Sequence, residues 1–166
     1  TPGSWDSAPM PGIAENTNVV IVDTDDTGDE VFVDTSGFDT PSRLLCGPAA
    51  GPLELAKSAP AFFDAAGITV SQYFATSSDG TKVPYFVVGQ RDSTGPGPTL
   101  LGGYGGFEVS RTPGYDGVLG RLWLARGGTY VLANIRGGGE YGPSWHTQAM
   151  REGRHKVAED FAAVAR

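Results

Sequence analysis

The sequence contains 166 residues, enough for one full domain or for parts of two. Lysine and arginine number 12 against 19 acidic residues, which gives a net charge of -7 and a pI near 4.7. We expect no nucleic-acid partner, because binding to phosphates needs clustered cations. We also expect no membrane span, because no apolar run approaches ~20 residues. The lone Cys46 excludes an intramolecular disulfide and a cysteine-based metal site.

The first third of the chain has the pattern of antiparallel strands. Asn18–Asp23 and Glu30–Asp34 alternate or run apolar, and the connection Thr24–Asp29 has the composition of a hairpin turn. Residues 36–67 hold short apolar stretches among prolines. They predict the end of an all-β region followed by a linker.

From about residue 69 the pattern changes to strands alternating with helices. The predicted strands are Val70–Thr76, Val83–Val88, Thr99–Leu101 and Tyr130–Ile135. Apolar residues at helical spacing predict one helix around Val118–Trp123 and another around Val157–Val164. A hairpin followed by β, α, β, α predicts the start of a mostly parallel sheet covered by helices, which is the α/β class.

Two glycine-rich loops, Gly102–Phe107 and Arg136–Gly142, each follow a predicted strand. In open α/β sheets ligands bind at the carboxyl ends of strands, so both loops are expected to face one crevice. There Tyr104 can present its phenol as a hydrogen-bond donor, and Phe107 can line an apolar pocket. The alternative is that both are ordinary core aromatics, and residue type alone favours it.

The second loop also fits another class of site. Gly137–Gly142 matches the G-x-G-x-x-G spacing of dinucleotide-binding folds, and Glu159 lies about 20 residues further on, where such folds bind ribose. In those folds the helix begins within the glycines. Here Pro143–Trp145 follows, and the clear helical face begins only near Val157. Dinucleotide binding is therefore the weaker alternative.

The acidic hairpin partly matches a calcium-binding loop. Asp23, Asp25 and Thr27 fall at the first, third and fifth positions, and Asp34 falls at the twelfth. The flanks are predicted strands rather than helices, and the last ligand is Asp rather than Glu. An acidic turn explains the segment better than a metal site does.

His146 and His155 are the only histidines, and a catalytic histidine needs a nucleophile and an orienting acid. The sequence contains no Gly-x-Ser-x-Gly turn, and Cys46 lies in a stretch without a catalytic signature. We therefore expect His146 to pack and hydrogen-bond, and His155 to lie on a helix surface. The full machinery of nucleophilic catalysis is absent from these residues.

Three stretches nevertheless occur in the order and spacing of one family. They are Ser77–Pro84, Gly103–Phe107, and Ala133–Gly142 with Trp145 and His146. Together they closely resemble the prolyl oligopeptidase family of serine peptidases over roughly residues 30–166. The resemblance implies an α/β-hydrolase domain capped by a β-propeller, which cleaves short peptides after proline without a metal or organic cofactor.

The resemblance also implies a division of the chain. Residues 1–56 would be the C-terminal part of the propeller, 57–68 a linker, and 69–166 the first half of the peptidase domain. Thr1 is not an initiator Met, and the helix pattern that ends at Arg166 has no stop signal, which also indicates a piece of a longer chain. The family's Ser, Asp and His lie further on, so we expect this chain to be inactive alone.

Two residues match functional positions of the family. Tyr104 matches the tyrosine whose hydroxyl supplies half of the oxyanion hole, and Phe107 matches an aromatic residue that lines the pocket for the substrate's proline. The related oligopeptidase B branch, which cuts after basic residues, stays open as an alternative. Most members are cytosolic, so a cytoplasmic location is expected.

Overall fold

The structure, a computed structural model, describes residues 9–91 and 95–166, so the first eight residues of the predicted propeller part lie outside it. The first sheet that it contains is an antiparallel meander of four strands in chain order. Its strands are β1 (Asn18–Thr24), β2 (Glu30–Ser36), β3 (Arg43–Pro48) and β4 (Glu54–Ser58). The predicted hairpin is confirmed as β1 and β2, whereas β3 and β4 were predicted only as undivided short apolar stretches.

The meander buries few side chains. In β2 the side chains alternate, so that Val31, Val33 and Thr35 are buried on one face. The edge strands β1 and β4 are almost wholly exposed. β4 extends to Ser58, so the predicted linker at residues 57–68 begins inside a strand.

The second sheet has the strand order β5-β6-β8-β7. Its strands are β5 (Ile68–Thr76), β6 (Lys82–Gln90), β7 (Thr99–Gly103) and β8 (Thr129–Ala133). All four were predicted, within a few residues at their ends. The prediction of a mostly parallel sheet is wrong for the described part of the chain, because β6 pairs antiparallel with both β5 and β8. Only β7 and β8, which are joined through a helix, run parallel.

Three α-helices and two short 3-10 helices cover this sheet or follow it within the described residues. They are α1 (Gly117–Leu122), α2 (Pro143–Thr147), α3 (His155–Val164) and the 3-10 turns Leu124–Arg126 and Arg151–Arg154. Asp116 caps α1, since its carboxylate accepts hydrogen bonds from the first free amides of the helix at 2.9 Å. No described helix has the length and apolar content needed to cross a membrane.

The hydrophobic core is centred on the second sheet. One cluster contains Phe86 and Leu132 from the sheet, Leu124 from the 3-10 turn, and Phe38 from the loop after β2. The rings of Phe38 and Phe86 lie 5.5 Å apart, so this loop ties the meander to the second sheet. A second cluster lies under α3 and includes Ile135, which directly precedes the second glycine-rich loop.

Candidate functional site

The two glycine-rich loops lie side by side at one edge of the second sheet. β7 and β8 are parallel neighbours, with Gly103 paired to Ala133, so both chains leave the sheet at the same end. The carboxyl ends of parallel strands are where α/β proteins bind ligands. The expectation that the loops face one crevice therefore agrees with the geometry of this sheet.

The loops touch through their backbones, and glycine permits this contact. A Cβ on Gly137 would lie 2.3 Å from the carbonyl oxygen of Gly105, and a Cβ on Gly139 would lie 2.3 Å from that of Glu108. Gly105 and Gly137 also have positive φ, at 61° and 98°. Any side chain at Gly137 would meet both a clash and an unfavourable backbone conformation.

The first loop holds two consecutive strained residues. Phe107 and Glu108 have φ values of 52° and 57°, in the left-handed region that residues other than glycine seldom adopt. The amide of Glu108 donates to Gly137 O at 3.1 Å, and that of Val109 donates to Gly106 O at 3.0 Å. Strain of this kind persists only where the surrounding contacts fix it, and it clusters at functional sites.

Tyr104 and Phe107 both point away from the core. Tyr104 is 47% exposed and Phe107 is 85% exposed. Within the described residues neither side chain is part of a hydrophobic core, whereas the alternative of two ordinary core aromatics predicted that both would be. Both side chains are accessible to a ligand from a loop whose backbone is fixed, which is the arrangement that a binding site needs.

His146 lies beside both loops and hydrogen-bonds to the second. Its Nδ1 atom lies 2.7 Å from Gly137 O and 3.1 Å from the amide nitrogen of Glu108. A ring nitrogen this close to a carbonyl oxygen acts as a donor, so we assign the proton to Nδ1. The expected packing role of His146 agrees with these contacts, and His155 is exposed beside Glu152 O as expected.

Arg136 begins the second loop and is the centre of a buried ionic cluster. Its side chain is fully buried, and its Nε and Nη2 atoms donate to the two carboxylate oxygens of Asp160 in α3 at 2.9 and 2.6 Å. Its Nη1 atom donates to Asp79 in the β5–β6 turn at 2.5 Å. Ser77 completes the cluster by donating to Asp160 at 2.6 Å. Arg136 thus fastens the start of the loop to two other elements.

The hydrogen bonds of this cluster favour the charged forms of Arg136 and Asp79. Hydrogen bonds to Asp160 and Asp79 raise the pKa of Arg136 above its ordinary value, so it stays charged. The hydrogen bond from Arg136 holds the pKa of Asp79 well below its usual range. A carboxylate with a lowered pKa stabilises the fold above its unfolded pKa of about 3.9, and this contribution disappears as the pH falls.

No role was predicted from the sequence for Arg136, Asp160 or Asp79. Arg136 was seen only as part of a glycine-rich motif, and Asp160 as part of an amphipathic helix. The sequence contained one signal of this cluster: Arg136 directly follows the apolar segment Ala133–Ile135. An arginine that is buried with such a segment needs acidic or polar partners. Its partners lie 24 and 57 residues away, and spacing alone does not identify them.

The geometry does not support the two alternative sites. In the second loop the amides of Gly137, Gly138 and Gly142 donate to carbonyl groups of the same segment, so they are not directed at a phosphate. The helix that follows, α2, has only five residues.

In the acidic hairpin, Asp25 accepts hydrogen bonds from Thr27. Residues 9–91 and 95–166 contain no group of three or more His, Cys, Asp or Glu residues arranged to hold a metal.

A parallel β-α-β unit with two interlocked glycine-rich loops at its strand ends defines the ligand-binding edge of an α/β domain. The model of the prolyl oligopeptidase family matches residues 120–166. An uncharacterized peptidase of Sinorhizobium fredii is 48% identical over 166 residues, which is 98% of this chain and 23% of the relative. The chain belongs to the prolyl oligopeptidase family of serine peptidases.

Solved structures agree with this assignment. A post-proline cleaving enzyme from Rickettsia typhi is similar with a TM-score of 0.80 and 32% identity, over 95% of this chain and 23% of that one. Oligopeptidase B from Leishmania major is similar with a TM-score of 0.80 and 27% identity, over 92% of this chain and 22% of that one. The chain therefore spans less than a quarter of the length of these relatives.

Proposed function

We propose that the full-length protein carrying this chain is a serine oligopeptidase that hydrolyses short peptides after proline. In this proposal the substrate carbonyl is attacked by a serine outside these 166 residues, which gives an acyl-enzyme that water then hydrolyses. The observation that carries the proposal is the exposed phenol of Tyr104 on a rigid loop at the carboxyl end of β7. Family membership supplies the reaction class.

Tyr104 has the role of oxyanion donor in this mechanism. As serine attacks, negative charge develops on the carbonyl oxygen, and a fixed O–H group stabilises that charge without reorganisation during the step. The contacts between the two glycine-rich loops support this role, because they fix the backbone on both sides of the phenol. Gly103 belongs to β7, and Gly105 packs against Arg136 O at a distance that leaves no space for a Cβ.

Phe107 is proposed to bind the proline of the substrate. Its ring is the most exposed large apolar side chain of the described residues, at 85%, and it lies three residues from Tyr104. A flat apolar ring favours a pyrrolidine ring through contact area. Covering this ring with substrate removes apolar surface from water, which is favourable by roughly 25 cal/mol per Å².

The chain alone is proposed to be a catalytically incomplete part of this enzyme. It contains no Gly-x-Ser-x-Gly turn, and both of its histidines have other contacts. The division into a propeller part at residues 1–56, a linker at 57–68 and a peptidase part from 69 onward is retained as a proposal. The exposed four-stranded meander supports it, since a propeller blade is a sheet of this kind.

A second candidate is an oligopeptidase B-like preference for basic residues. The similarity to the Leishmania major enzyme favours it, because its TM-score equals that of the post-proline cleaving enzyme. The post-proline enzyme is more similar in sequence, at 32% against 27%. Comparing turnover of reporter peptides ending in Gly-Pro and in Arg decides between the two preferences.

The Tyr104→Phe variant of the full-length protein tests the proposed oxyanion donor. Loss of one donor is expected to lower kcat on a Gly-Pro reporter peptide by about 10²–10³-fold, while the ring keeps its packing and the melting temperature stays unchanged. The matched control is Tyr73→Phe, which removes the hydroxyl of a similarly exposed tyrosine in β5 and should leave kcat unchanged. The 166-residue chain serves as the blank and should give no turnover.

Two results would contradict the proposal. A Tyr104→Phe enzyme with kcat within about twofold of the parent has lost less than ~0.5 kcal/mol of transition-state stabilisation, which is too little for an oxyanion donor. Turnover by the purified 166-residue chain that a serine-directed inhibitor blocks would show that the chain is catalytically complete.

A further inference from the structure

We infer that Arg154 is a positioning residue for the first glycine-rich loop and holds Tyr104 in its working orientation. The inference rests on the proposed oxyanion role of Tyr104 and adds a residue that acts through it. Arg154 is the last residue of the 3-10 turn Arg151–Arg154, which connects α2 to α3. Its Nη1 atom donates a hydrogen bond to Gly105 O at 2.7 Å.

The carbonyl group that Arg154 contacts is next to Tyr104 in the chain. Gly105 is buried and has a φ of 61°, and its oxygen is pressed against Gly137 of the second loop. Among the described residues, Arg154 is the only hydrogen-bond donor to this oxygen. Without it a buried carbonyl group loses its partner, which favours rotation of the peptide between Gly105 and Gly106.

The same guanidinium borders Gly106 together with the phenol ring. A Cβ built on Gly106 would be 3.9 Å from Arg154 Nη1 and 3.8 Å from Cε1 of Tyr104, so both side chains border the same glycine. Arg154 therefore fixes the loop through one hydrogen bond to the carbonyl group next to Tyr104.

The chain supplies a matched control for this inference. Arg151 lies on the same 3-10 turn, is exposed like Arg154 and carries the same charge. Within the described residues its side chain makes no hydrogen bond to the loop. Changing either residue to alanine removes one exposed cation, and only Arg154→Ala removes the contact to Gly105.

The experiment is a double-mutant cycle in the full-length protein with a Gly-Pro reporter peptide. We expect Arg154→Ala to lower kcat about tenfold, with KM nearly unchanged and a modest decrease in the melting temperature, because a charge-assisted hydrogen bond to a buried loop carbonyl is lost. Arg154→Lys keeps a cationic donor and should restore most of kcat. Arg151→Ala should leave kcat within twofold of the parent.

The cycle with Tyr104→Phe separates this inference from the proposed function. If Arg154 acts through Tyr104, Arg154→Ala should lower kcat less than twofold when Tyr104 is already Phe. A full tenfold loss in that background would overturn the inference, as would an unchanged kcat for Arg154→Ala beside a large loss for Tyr104→Phe. If Tyr104→Phe itself retains full activity, the oxyanion role fails, and the positioning role of Arg154 fails with it.

Discussion

The two sheets of this chain differ in how their residues are fixed. In the second sheet the loops at the strand ends are held by a buried arginine with two carboxylates, by backbone contacts at glycines, and by a histidine that hydrogen-bonds to the second loop. In the meander, Val19, Val20, Ile21 and Val22 of β1 are between 42% and 61% exposed. Its buried residues come mainly from one face of β2.

This difference shows where sequence changes are tolerated. A residue that fixes a loop through a buried charge has no substitute, because its partners lose their compensation when it is removed. An exposed strand residue has few partners to lose. Removing the buried arginine at the loop edge of the second sheet should therefore cost several kcal/mol. A substitution on the outer strand of the meander should cost almost nothing.

The largest effect is expected at Arg136. The Arg136→Met variant keeps most of the side-chain volume but leaves Asp160 buried without its cation, and breaking a buried pair in this way costs about 3–5 kcal/mol. Urea unfolding should show this as a large decrease in the midpoint. The milder Asp79→Asn variant, at a side chain that is 36% exposed, should cost clearly less. Equal losses for the two variants would contradict a cluster centred on Arg136 and Asp160.

A smaller loss is expected at the glycine contact between the loops. Gly137→Ala introduces a Cβ 2.3 Å from Gly105 O and forces alanine into positive φ, so we expect a loss of about 2–3 kcal/mol. Gly127→Ala is the control, because Gly127 also has positive φ, at 84°, but no atom lies within 4 Å of its added Cβ. It should lose only about 1 kcal/mol. Equal decreases in the free energy of unfolding for the two variants would mean that the close contact between the loops does not affect the stability of the fold.

Much of this organisation could be predicted from the sequence. Period-2 patterns identified β1, β2 and the strands of the second sheet, and helical spacing identified α1 and α3. The parallel arrangement was overestimated because strand patterns do not reveal that β6 is inserted beside β8. Residue type favoured a buried Tyr104 and Phe107, whereas both are exposed on a loop that ends in two residues with positive φ, and composition does not reveal loop conformation.

The contacts that fix the site could not be predicted from the sequence, for a different reason. Arg136 meets Asp160 and Asp79 only after three separate elements have packed together. Arg154 reaches Gly105 across 49 residues. The family resemblance identified the motif that contains Arg136 but did not identify its partners. The roles of Tyr104 and Phe107, the cytoplasmic location and the domain limits stay predictions.

The smallest effect is expected on the outer strand of the meander. Val20 is 50% exposed, and threonine has a β-branched shape similar to that of valine, so Val20→Thr should change the stability of the chain by less than about 0.5 kcal/mol. The control is Val33→Thr in the neighbouring strand, where the side chain is fully buried and a new hydroxyl group loses its water. That variant should cost about 1–3 kcal/mol in urea unfolding of the chain. A loss at Val20 equal to that at Val33 would mean that the outer strand is covered in solution, and the contrast between the two sheets would then disappear.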